Sequence, residues 1–156
     1  MSMNRILATI VICGVAALAP CSLSAQSGSL AKAKTIRCTF PVMSAGSWGK
    51  DKPEVQQKPP TQREPMVFEG INVDEGTAEL KSNYGKYDII VRYSNGYLHF
   101  IQSFLDGYLY VTTVLEKKTE SGKLKGMHSR HQYTDVSLPG FTSGPEQYVG
   151  ECEILN

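Results

Sequence analysis

The densest run of side chains able to do chemistry is His128-Ser129-Arg130-His131. Two imidazoles beside a guanidinium could act as an acid–base pair with an arm for an anionic group. Joined by His99, they could instead ligate a metal. The spacing speaks against the metal. Residues three apart on a strand point to opposite faces, so His128 and His131 converge only if the strand ends or bulges at Ser129 or Arg130. No carboxylate lies at a supporting spacing, and no metal or cofactor is expected. The plain expectation for the run is an exposed polar strand end, with Arg130 still able to contact an anion.

Other catalytic patterns are weaker. Gly46-Ser47-Trp48-Gly49 and Gly140-Phe141-Thr142-Ser143-Gly144 are glycine-flanked serines, but neither is the G-x-S-x-G elbow, which follows a strand and opens a helix. Turn chemistry accounts for both. Glu151 and Glu153 flank Cys152 on the opposite, solvent-facing side of a strand, and Asp74 and Glu75 belong to a turn. No spacing singles out a general acid and base. The expectation is a protein without catalytic activity, the alternative being an enzyme built on His128, Arg130 and His131.

Binding is better supported. The eight tyrosines suit recognition surfaces, because each brings a large area with a polar tip, and they suit sheet packing equally. Tyr84 and Tyr133 fall in turn or loop positions and are the better surface candidates. Trp48, the single tryptophan, lies in a segment rich in glycine and serine. It either plugs a barrel mouth or anchors a partner. Phe104 lies in a hairpin that is apolar on both sides. The candidate binding residues are therefore Trp48, Tyr84, Phe104, His128, Arg130, His131 and Tyr133.

The N-terminus has the form of a secretory signal: Arg5, an uncharged run of 14 residues from Ile6 to Ala19, and small residues ending at Ala25. The run is shorter than the roughly 20 residues of a membrane-spanning helix. This divides the chain into a signal over 1–25 and one domain over 26–156, exported to the periplasm or secreted. An alternative is a lipid anchor at Cys21, since Leu18-Ala19-Pro20-Cys21 resembles a lipobox with Pro20 at the position usually held by Gly or Ala. Without Arg5 the 16 basic side chains become 15, matching the 15 acidic ones. A neutral chain has no field to draw it onto nucleic acid. The partners expected are a protein or a small hydrophobic ligand.

The elements that must position these residues are strands. Eight are expected: 34–42, 66–73, 77–82, 87–93, 97–105, 108–115, 123–130 and 147–155. In 87–93, Tyr87, Ile89, Val91 and Tyr93 share one face. Asn95-Gly96 and Asp106-Gly107 have the composition of two-residue hairpin loops in which both central residues take positive φ. The hairpin Tyr97 to Leu115 is apolar on both sides, so something should cover its outer face, and self-association through it is possible. The segments 44–62 and 132–146, with their prolines and glycines, are expected to be long loops. No helical period stands out beyond the signal.

After the signal, two cysteines remain, Cys38 in the first strand and Cys152 in the last. Each falls on the more apolar face of its strand. In an exported chain they are expected to pair, making the terminal strands neighbours. The expected fold is all-β, a small eight-stranded antiparallel up-and-down barrel, which removes the strand edges. The alternative is a two-sheet sandwich. In size, export and strand count the chain is similar to small secreted barrels that bind hydrophobic ligands, and to small periplasmic barrels that inhibit lysozyme. The likeness extends no further, and neither group's binding motif is matched residue by residue. The functional expectation is a non-catalytic binding protein of the cell envelope. The alternatives are the enzyme above or a structural envelope component without a discrete site.

Overall fold

The computed structural model describes residues 28–49, 52–60, 64–82, 85–134 and 144–155. The segment proposed as a signal, with Cys21 and Ala25, lies outside them, as does Tyr84. Among the described residues no helix is long and apolar enough to cross a membrane.

The described residues form one short helix, α1 (Ser29–Lys32), and nine strands: β1 (Thr35–Gly49), β2 (Lys52–Lys58), β3 (Met66–Asn72), β4 (Thr77–Ser82), β5 (Gly85–Ser94), β6 (Tyr97–Ser103), β7 (Leu109–Lys118), β8 (Leu124–His131) and β9 (Glu146–Leu155). Each of β3 to β9 lies antiparallel to its successor, and β1 pairs with both β3 and β9. Eight strands therefore close into an antiparallel barrel, with β2 as an extra strand. The closing seam sets Cys38 directly opposite Cys152, and the two are disulfide-bonded across 114 residues of chain.

The segment 44–62 corrects the expectation of a loop. β1 continues to Gly49, past the end of β9 at Glu146, and pairs with β2 from Met43↔Lys58 to Gly49↔Lys52. A two-stranded ribbon thus rises beyond the barrel wall. β2 is solvent-exposed along its whole length, so it carries no alternation to read. It is also the last strand on its side of the ribbon, and edge strands are where a proline such as Pro53 is tolerated. Gly46-Ser47-Trp48-Gly49 is accordingly strand rather than turn.

The turns differ in detail. Asn95 (φ 50°) and Gly96 (φ 78°) both take the left-handed conformation, as that loop type requires. At Asp106-Gly107 only Gly107 does (φ 89°). The connection there is wider, with Phe104 N–H donating to the Tyr108 carbonyl and Gly107 N–H to the Phe104 carbonyl.

Strand register builds the interior in layers. The middle layer runs Met43, Tyr148, His128, Thr112, Phe100, Val91 around β1, β9, β8, β7, β6 and β5. Phe68 stacks on Phe100, with centroids 3.9 Å apart. Gly126 and Gly150 oppose each other beside the disulfide. A Cβ on Gly126 would lie 2.6 Å from Cys152 Sγ, and one on Gly150 would overlap the Thr39 carbonyl. The end holding the Asn95-Gly96 turn is closed by α1, whose Leu30 is fully buried in the core. Ser29 Oγ anchors that helix by donating to Glu116 Oε1 at 3.0 Å.

Candidate binding site

The barrel's other end is built differently. One interior layer above His128, the register aligns Ala45, Glu146, Arg130, Tyr110 and Gln102. Four polar side chains therefore ring this end just inside the wall. Arg130 Nη1 donates to Glu146 Oε2 at 3.0 Å, and Tyr148 Oη donates to the same oxygen at 2.5 Å. Arg130 Nη2 donates to Tyr110 Oη at 3.0 Å and to Gln132 Oε1 at 3.2 Å. Tyr110 Oη in turn donates a hydrogen bond to Gln132 Oε1 at 2.7 Å. The guanidinium also lies 4.8 Å from the Tyr110 ring centroid, a cation–π contact. Phe104 packs edge-on against that same ring at 4.9 Å.

The Glu146 side chain is fully buried, and that of Arg130 is partly buried, 21 % exposed. Such a pair holds because each charge is matched and hydrogen-bonded. Burial works against the Arg130 charge, but hydrogen bonds to Tyr110 and Tyr148 and the fields of Tyr110 and Glu146 outweigh it, so its pKa rises further above the ordinary value. Its Nε is buried without a hydrogen-bond partner among the described residues.

His128 corrects the expectation of an exposed strand end. It is buried among Phe40, Tyr110 and Tyr148, with ring centroids 5.7, 6.1 and 5.4 Å away. Its Nδ1 is 2.8 Å from Thr112 Oγ1. Burial, reinforced by the Arg130 charge, pushes its pKa down to about 4, which leaves the ring neutral. His131 is exposed at the strand end, and the β7–β8 and β8–β9 registers run unbroken through Ser129 and Arg130. No bulge brings the two imidazoles onto one face. His99 lies on the outer wall, 3.0 Å from Thr113 Oγ1 and stacked on Tyr97. Among the described residues no three His, Cys, Asp or Glu side chains converge as metal ligands would.

Above the polar layer lies a pocket of about 370 Å³ at the rim. Trp48 forms its wall from the projecting ribbon. Tyr133, just past β8, meets Trp48 edge to face, with centroids 5.6 Å apart and planes at 86°. Each ring is 57 % exposed. Tyr108, Asp106 and His131 complete the opening, and Gln132 links it to the Arg130 layer. In contrast, the space inside the barrel between Phe68, Phe100 and His128 is about 10 Å³. That is room for one water rather than a ligand.

No family model, curated protein or solved structure matches this chain.

The rim thus gathers most of the residues that the sequence singles out. Trp48, His131 and Tyr133 line the pocket, Arg130 and Phe104 support it from below, and His128 lies one layer deeper. Sequence reasoning missed Glu146, Tyr148, Tyr110 and Asp106. Glu146 reads as the end of a loop, and the tyrosines read as sheet packing. Only the register shows that Tyr110, Arg130 and Glu146 stand in one row. The outer face of the β6–β7 hairpin is uncovered among the described residues. Ile90, Ile101 and Val111 form a cross-strand row there, with Ile90 47 % exposed.

Proposed function

We propose that this chain is an exported, non-catalytic binding protein of the cell envelope, and that the barrel rim is its recognition surface. The observation that carries the reading is the exposed Trp48–Tyr133 pair over the rim pocket. Large apolar surface left open on a rigid frame is typical of recognition sites, where tryptophan and tyrosine supply most of the binding energy. The buried Arg130–Glu146 layer keeps the floor of this pocket rigid. The signal-like N-terminus supports export. The filled interior favours a ligand or partner held at the rim over one enclosed in the barrel.

The test compares immobilised wild-type protein with a Trp48→Ala variant against a native envelope extract. Loss of a captured component in the variant, by at least about tenfold, is expected for an aromatic anchor. Identical capture by both proteins would refute the rim as the binding surface. Intact mass of the native protein tests export. A chain beginning at Gln26 supports a soluble protein, and an acylated chain beginning at Cys21 supports a membrane anchor.

A further inference from the structure

We propose that the rim pocket is a site for an organic cation, an alkylammonium or guanidinium group seated against Trp48 and Tyr133 with the Asp106 carboxylate as its counter-charge. The proposal rests on the rim being the recognition surface, and it names the chemistry recognised there.

Three observations converge on a cation. First, Trp48 and Tyr133 pack edge to face and each residue is still 57 % exposed, so aromatic surface is left open beside their contact. Aromatic faces carry negative potential and attract cations lying within about 6 Å of the ring centroid. Tyr108 lines the same pocket. Second, Asp106 adds a carboxylate at the opening, and among the described lining residues none is lysine or arginine, the one basic side chain being His131. Among the described residues the Asp106 side chain takes part in no ion pair or hydrogen bond. Third, Arg130, the nearest cation below, is matched by Glu146 and turned into the barrel interior, so it does not neutralise Asp106. The Asp106 carboxylate is thus flanked by aromatic surface. A neutral apolar ligand would use the rings but leave the carboxylate idle. An anion would be repelled by both. The pocket's size, about 370 Å³, is at the small end of the range for small-ligand sites.

Trp48 is the sole tryptophan, so fluorescence excited selectively at tryptophan rather than at the eight tyrosines reports on this pocket. The protein is titrated with choline and with choline's neutral isostere, in which a quaternary carbon replaces the nitrogen. Nα-acetylated amides of lysine and arginine are titrated in parallel. Choline is expected to bind at least about fivefold more tightly than the isostere, the share that a cation–π contact adds. Asp106→Asn keeps a residue suited to the turn and should weaken choline by about threefold while leaving the isostere unchanged. Tyr133→Leu should weaken choline by about fivefold. A preference for choline over the amino-acid amides points to a free alkylammonium ligand, and the reverse to a side chain of a partner protein. Both outcomes support a cation site. Equal affinity for choline and its isostere overturns the proposal, as does a Trp48 signal that no cation moves at millimolar concentration. If Trp48→Ala nevertheless abolishes partner capture, the rim remains the recognition surface and only its cation chemistry is refuted.

Discussion

Acidification should destabilise this barrel through one side chain, His128. Its folded-state pKa is pushed down to about 4, because the ring is buried among Phe40, Tyr110 and Tyr148 and feels the Arg130 charge. In the unfolded chain it returns to about 6.5. Between these values the unfolded state binds the extra proton, so stability rises with pH across the window and falls as pH drops from about 6.5 towards 4. Above the window both states are neutral at this site and the dependence vanishes. The full difference is equivalent to about 3 kcal/mol, of which about 2 kcal/mol is lost between pH 7 and 4.5. That upper window isolates the histidine from Glu151 and Glu153. Hydrogen bonds from Thr119 and Ser121 hold the Glu151 carboxyl below its ordinary value, and one from Arg37 does the same for Glu153, so both lose their contribution at lower pH. The assay is urea unfolding followed by far-ultraviolet circular dichroism at several pH values, with the disulfide intact. A His128→Leu, Thr112→Val double variant removes both hydrogen-bonding partners together, leaving no polar group stranded. Its stability should be nearly independent of pH between 7 and 4.5. A flat wild-type profile, or an equal slope in the double variant, would refute the reasoning.

Three further perturbations separate what holds the barrel from what decorates it. Replacing Cys38 and Cys152 by alanine opens a loop of 114 residues and should cost about 5 kcal/mol in the chain-entropy model, read as a shift in the urea midpoint; an unmoved midpoint would show that the seam holds without the bridge. Gly126→Ala places a methyl against Cys152 Sγ and Phe40 and should cost about 1–3 kcal/mol, whereas Met127→Ala on the exposed outer face should cost less than about 0.5 kcal/mol; equal thermal shifts would sink the steric argument. Glu146→Ala strands the Arg130 charge and should cost about 3–5 kcal/mol by denaturant titration, while Arg37→Ala, which breaks an exposed pair with Glu153, should move the midpoint little; the reverse order would be inconsistent with the burial seen here.

Much of the barrel is legible in the sequence because its wall strands are buried on one face. Ile89 and Val91 alternate with Asp88 and Arg92, and Asn95-Gly96 marks the following turn, so β5 and β6 can be read without coordinates. The cysteines identify the seam because both sit on apolar faces. The β1–β2 ribbon is illegible for a physical reason: it stands clear of the core, so burial imposes no period on it, and its proline argues against a strand unless the strand is known to be an edge. The candidate site is half legible. Trp48, Tyr133 and His131 stand out by residue type, but the Glu146–Arg130–Tyr110 row exists only once three strands are paired in register. His128 reads as exposed because its neighbours Ser129, Arg130 and His131 are polar. The strand's alternation nevertheless places it on the same face as buried Leu124.

The two ends of the barrel divide stability from recognition. At the α1 end, Leu30 and Ala33 continue the apolar core outward, and the Glu116 carboxylate accepts from Ser29, the Leu30 N–H and Tyr93. At the rim, the core stops at a ring of polar side chains whose charges are balanced internally, and the exposed aromatic rings sit outside that ring. Trp48, Tyr133 and Asp106 can therefore be changed at small cost to folding, since all three are exposed. Arg130 and Glu146 cannot, because each leaves a buried charge behind. A loss of binding on changing the outer three is thus interpretable as a loss of contact. A loss on changing the inner pair must first be cleared of unfolding.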